Sequence, residues 1–144
     1  MKIIRCFFLL FLLFFIFPAT SSAIALLPDN PVKILTYSDN NTNCYIIGNS
    51  INTAVDDTNS YLSVIMIKED KNDNGIVFEF LTYKFENNLK HFYFRFDSIF
   101  TSVNGEEPKE IKTSFTWHDL EPLMQSPYGY SLYEALQYGK QHNK

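Results

Sequence analysis

Two apolar, β-branched runs on either side of an Asn-Gly pair constrain the fold of this chain most. Residues 61–67 and 76–85 are rich in Ile, Val, Phe and Tyr, side chains that fit a pleated surface. Between them, Asp73-Asn74-Gly75 offers residues that tolerate positive φ, so a type I′ hairpin turn and antiparallel pairing are expected. The following run alternates strictly, with Phe92, Phe94 and Phe96 on one side and His91, Tyr93, Arg95 and Asp97 on the other. That pattern predicts a sheet with one buried face. Asn87-Asn88 is the expected turn into this strand, and Asn104-Gly105 leads out of it.

Residues 111–117 alternate again, which predicts a fourth strand with Ile111, Thr113, Phe115 and Trp117 on one face. Residues 32–37 and 44–47 predict two shorter strands joined by the Asn-rich turn 39–43. Beyond Trp117 the period becomes helical. Leu120, Leu123 and Met124 around Pro122 predict a short helix or turn, with Asp119 near its N-terminus. Ser131 and Glu134 have capping-box spacing, so a final helix is predicted to start at Ser131 and to dock through Leu132, Tyr133 and Leu136. Its polar end, residues 140–144, is expected to fray. The expected fold is mainly β with α: an antiparallel meander of about five to six strands packed by a C-terminal helix, as a small sandwich or half-barrel.

The N-terminus predicts the compartment. Lys2 and Arg5 precede the apolar stretch 6–17, and Pro18 and the small residues 19–23 follow, which is the layout of a secretory signal peptide over residues 1–23. Cleavage fits after Ala23 or Ala25. The run is too short for a membrane anchor, which takes about 20 apolar residues. The rest of the chain, residues 24–144, reads as one exported domain, periplasmic or secreted, with no membrane span. Without Lys2 and Arg5, 10 of the 12 basic residues remain against 16 carboxylates. So acidic a surface repels phosphate backbones, and nucleic-acid binding is not expected.

Few residues suggest chemistry. Cys44 is the only cysteine of the exported domain, so no intrachain disulfide can form. Its apolar setting predicts burial, and a Cys44-linked dimer is the alternative. Asp70, Asn72 and Asn74 followed by Gly75 match the first half of an EF-hand-type calcium loop, but Leu81 stands where the closing carboxylate belongs. A hairpin turn is therefore expected and no metal is assigned. His118 beside Asp119 is the one candidate acid–base pair. His91 and His142 stand apart, without metal-ligand spacing. No phosphate loop, nucleophile elbow or carboxylate pair occurs, so no catalytic group or cofactor is assigned.

Tyr83, Tyr93 and Arg95 are expected on the less apolar side of the meander. With Tyr128 and Tyr130 they form a candidate binding surface, since Tyr and Arg combine large contact area with a polar handle. The alternative packs these rings between sheet and helix. Residues 32–37, 44–46 and 61–64, and the closing segment 130–136 with its Tyr-Ser-Leu, together resemble the invasion-associated locus B family of small exported bacterial proteins. The Trp usual near that family's start is absent, and residues 97–116 do not follow its pattern. The expected function is non-enzymatic binding to another protein or an envelope component, associated with invasion or host contact as the resemblance implies. One alternative is a periplasmic inhibitor or immunity protein that plugs a cleft with an acidic loop at 69–74 or 104–107. The other is a small enzyme using His118 and Asp119.

Overall fold

The computed structural model describes residues 26–86 and 91–142. The expected export signal, residues 1–23, and the expected Asn87-Asn88 turn lie outside the described residues. Among the described residues, the fold is a single open antiparallel sheet of eight strands with one C-terminal helix on one face. The strands are β1 (Lys33–Ser38), β2 (Thr42–Ile47), β3 (Asn52–Val55), β4 (Asn59–Asp70), β5 (Gly75–Glu86), β6 (Phe92–Val103), β7 (Lys109–Ile111) and β8 (His118–Asp119). Helix α1 runs from Pro127 to His142.

Strands β4, β5 and β6 have 12 residues each and pair along nearly their whole length, forming the expected meander. Two short strands share each outer edge of this slab. β2 pairs with residues 66–70 of β4 and β3 with residues 60–63, while β7 pairs with residues 99–101 of β6 and β8 with residues 93–94. Ser50, in the 3₁₀ turn Gly48–Ser50, bridges the gap on the first edge. Its Oγ accepts the Ile65 N–H at 2.9 Å and donates to the Ile47 carbonyl at 2.7 Å, replacing the missing ladder bond. β3 has no period-2 apolar signal in the sequence because all four of its residues are exposed.

Three expectations need correction. The β4–β5 turn spans Lys71–Asn74 rather than two residues: Asn74 alone takes positive φ, at 53°, and Gly75 begins the strand. The alternating segment 111–117 is not a strand beyond Ile111. Phe115 adopts φ 53° and is 61% exposed, and the backbone leaves the β6 edge opposite the bulge where Asp97 is left without a paired residue. The last helix begins at Pro127, four residues before Ser131. Ser126 caps it, its Oγ accepting the Gly129 N–H at 3.0 Å, and Pro127 follows at a position where a missing N–H is harmless. Ser131 is instead a buried interior residue whose Oγ lies 3.0 Å from Thr36 Oγ1. The helix reaches His142, whose ring stacks on Tyr138 at 3.9 Å, and the last two residues of the end expected to fray, 143 and 144, lie outside the described residues.

The core lies between α1 and one face of the sheet: Ile46, Leu62, Val64, Met66, Leu81, Tyr83 and Phe94 meet Leu120, Leu132, Ala135 and Leu136. Gly139 permits the close approach, because a Cβ there would lie 2.4 Å from a Leu62 methyl. With period-2 alternation, every second residue of β4, β5 and β6 points to the face without the helix. No helix among the described residues is long and apolar enough to cross a membrane.

Candidate binding face

Register decides which of the expected surface residues share a face. Tyr83 is directly opposite Phe94, and Lys84 opposite Tyr93. Tyr83 therefore joins the core, fully buried, with its hydroxyl donating to the Leu132 carbonyl at 2.9 Å. Burial pushes the Tyr83 phenol pKa up. This corrects its placement with Tyr93 and Arg95, because alternation within a strand says nothing of how two strands are aligned. Tyr93 and Arg95 do lie together on the helix-free face. Tyr128 points to the helix side of the sheet, where its hydroxyl donates to Glu79 Oε2 at 2.9 Å, and Tyr130 is exposed on α1.

On the helix-free face, successive cross-strand rows are Tyr61, Lys84 and Tyr93, then Ser63, Thr82 and Arg95, then Ile65, Phe80 and Ser98. Trp117 completes the first two. Instead of continuing a strand, residues 112–117 bring its indole over this face, 6.4 Å from the Tyr61 ring on β4. The Lys84 ammonium and the Arg95 guanidinium carbon each lie 4.8 Å from the Trp117 ring, and Lys84 is also 5.0 Å from Tyr93. Such cation–ring contacts contribute about 0.5–1 kcal/mol each at partly exposed sites.

A hydrogen-bonded chain fixes the second row. Arg95 Nε donates to Asp97 Oδ1 at 2.7 Å, Thr82 Oγ1 donates to Asp97 Oδ2 at 2.5 Å, and Ser63 Oγ is 2.9 Å from Thr82 Oγ1. Next to it, Asn52, Ser63, Asp97 and Ser98 rim a groove of about 270 Å³ whose lining includes Ile65 and Phe80. Tyr61 is held at the other end by Asp56, which accepts its hydroxyl at 2.8 Å and the N–H groups of Thr58 and Asn59. These bonds hold the Asp56 carboxyl down at about 2.

The polar cluster under α1 is of another kind. Glu79 is buried in the sheet with Tyr128 as its hydrogen-bond donor, and burial raises its pKa to about 6 despite the attraction of Lys68. Cys44 is free, 2% exposed and pushed up by burial. A thiol so placed is not presented for the intermolecular disulfide of a Cys44-linked dimer.

The remaining candidates are not brought together. Asp70 Oδ1 and Asp73 Oδ1 accept N–H bonds from Asn72 and Gly75 within their own turn. No group of three metal-binding side chains occurs among the described residues. His118 lies 5.5 Å from the Phe94 ring, while Asp119 Oδ1 accepts the Glu121 N–H at 3.0 Å, so the carboxylate orients the 3₁₀ turn Glu121–Leu123 and not the imidazole. His118 shares a groove of about 210 Å³ with Lys112, Thr113, Ser114 and Thr116, without a hydrogen bond to any of them. His91 is exposed, and His142 Nδ1 is 3.0 Å from the Tyr138 carbonyl.

Sequence reasoning placed Asp97 with Tyr93 and Arg95, as the contacts of its carboxylate bear out, but missed Lys84, Thr82 and Trp117 as parts of the same face. Comparison with known proteins returns no matching family model, no matching curated protein and no matching solved structure.

Proposed function

We infer that this chain is an exported, non-enzymatic binding protein of the bacterial envelope that engages a macromolecule outside the cytoplasm through the helix-free face of its sheet. The observation that carries this reading is the makeup of that face. A water-facing side of an antiparallel sheet is ordinarily polar, yet this helix-free face, where Ile67 is buried, bears Tyr61, Tyr93, Trp117, Phe78, Phe80 and Phe100, all half-buried, with Lys84 and Arg95 among them. Aromatic rings with Arg in partly desolvated positions are the composition of binding hot spots. A place in the invasion-associated locus B family, with a role in invasion or host contact, belongs to the same reading and rests on the segments quoted above.

Catalysis by His118 and Asp119 has less support, since the carboxylate does not orient the imidazole. An inhibitor acting through the loop 69–74 also has less, since Asp70 and Asp73 are engaged by their own turn. The test is co-sedimentation of the purified mature protein with insoluble envelope material. Trp117→Ala should abolish retention, and Tyr130→Ala, on the exposed side of α1, should not. Equal retention of the two variants would refute the assignment of the face.

A further inference from the structure

We propose that the ligand of this face is an acidic oligosaccharide, with a pyranose ring in the groove beside Asp97 and a carboxylate directed to Lys84. This rests on the binding reading above and names the ligand class. A pyranose ring has apolar C–H faces and a rim of hydroxyls that both donate and accept. The groove offers the complement: Ile65 and Phe80 supply apolar lining, and Asn52, Ser63, Asp97 and Ser98 supply polar atoms. Its volume of about 270 Å³ suits a sugar unit, near the lower end of small-ligand sites, which run from about 300 Å³.

The polar groups are positioned in advance. Asp97 is held through one contact on each oxygen, from Arg95 and from Thr82. A carboxylate has about four acceptor sites, so acceptor capacity remains for sugar hydroxyls. Asn52, which lines the groove, uses its amide nitrogen on the Ser50 carbonyl, which leaves its oxygen as an acceptor. Arg95 spends Nε on Asp97 and keeps its terminal N–H donors, with its guanidinium held against Trp117. Fixing these side chains beforehand removes ordering entropy that a ligand would otherwise have to offset.

Charge selects the acidic class. The exported domain carries an excess of carboxylates, yet Lys84 projects from this face into contact with two rings, and its ammonium is in none of the ion pairs found among the described residues. Lys84 is one residue row from the Ser63–Thr82–Arg95 row that adjoins the groove. Two residues along a strand span about 7 Å, a distance within reach of a neighbouring sugar unit. A protein partner would not need the preset hydroxyl-pairing groove.

Trp117 is the only tryptophan of the chain, so its emission reports on this face without a label. The experiment titrates the mature protein with trigalacturonate and, in parallel, with the neutral trisaccharide cellotriose. Trigalacturonate should change Trp117 emission saturably, and Lys84→Gln should weaken its binding about five- to tenfold, the effect of one charge-assisted contact. Asp97→Asn should abolish the response to both sugars, its fold being checked by far-UV circular dichroism. Amide chemical-shift mapping of the unmutated protein provides a readout independent of the variants, with shifts expected around Asn52, Ser63 and Ser98. No saturable response and no localised shifts with either sugar would overturn the saccharide assignment, and equal affinity for both would overturn the acidic one. If sugars fail while envelope retention still depends on Trp117, the ligand class is wrong and the binding face stands. If retention fails too, both readings fall.

Discussion

Replacing Glu79 by Gln should remove a pH dependence from the folding equilibrium. In the fold the carboxyl lies between β5 and α1, 7% exposed, with burial holding its pKa at about 6 against an ordinary 4.5. The folded chain therefore binds this proton more tightly than the unfolded chain does. The sign follows: this group's contribution is fully present below about pH 4.5 and is lost as pH rises through about 6. The gap of about 1.5 pH units corresponds to about 2 kcal/mol at about 1.36 kcal/mol per unit. Glutamine keeps an oxygen that accepts the Tyr128 hydroxyl and carries no charge to desolvate. Urea unfolding followed by Trp117 emission at several pH values reads this directly. Wild type should lose up to about 2 kcal/mol between pH 4.5 and 7.5 on this account. E79Q should lack that decline and be the more stable protein by about 1–2 kcal/mol at pH 7.5. An E79Q variant that keeps the wild-type slope would refute the argument, because the proton would then be taken up elsewhere.

Three further outcomes follow from single contacts. Cys44, 2% exposed, should react slowly with thiol reagents in the folded protein and fast in denaturant; rapid native labelling would show that the thiol reaches the surface. Ser50→Ala should destabilise by about 1–3 kcal/mol in urea unfolding, because the Ile65 N–H loses its acceptor between β2 and β3, and a loss below about 0.5 kcal/mol would mean that water takes over the bond. Calcium should leave the melting temperature unchanged, since Asp70 and Asp73 already accept N–H bonds of their own turn, and a clear rise would restore the calcium-loop reading.

The long strands were legible in the sequence because their signal is local. Hydrophobic alternation, β-branched composition and Asn-rich turns need only neighbours in the chain, and β1, β2, β4, β5 and the first half of β6 were located from them. The second half of β6, residues 98–103, breaks phase at the Asp97 bulge, so its alternation does not continue from Phe96 and the strand was cut short. β3 and β8 are exposed ladder fragments held by partners rather than by their own pattern. The helix start was misplaced because two serines, Ser126 and Ser131, both precede apolar residues. Pro127 and the Gly129 N–H favour the first, and the buried contact of Ser131 with Thr36 on β1 removes the second from capping.

The face was half legible for a related reason. Tyr93 and Arg95 announce themselves by alternating with phenylalanines, but placing Tyr83 beside them required cross-strand register, which one strand's sequence does not contain. Trp117 shows the limit most clearly. Its alternation with Ile111, Thr113 and Phe115 reads as a strand, and a strand there would have carried the indole along the β6 edge. Positive φ at Phe115 and the unpaired stretch of β6 around Asp97 release the segment, and the contacts with Lys84, Arg95 and Tyr61 hold the indole across three strands. A residue that local periodicity assigns to a sheet edge thus becomes the centre of the helix-free face. On the other edge of β6, the bulge in its pairing with β5 leaves Asp97 without a paired residue, and its carboxylate turns to Arg95 and Thr82. Two irregularities, one on each edge of β6, therefore position the ring and the acid on which the proposed ligand depends.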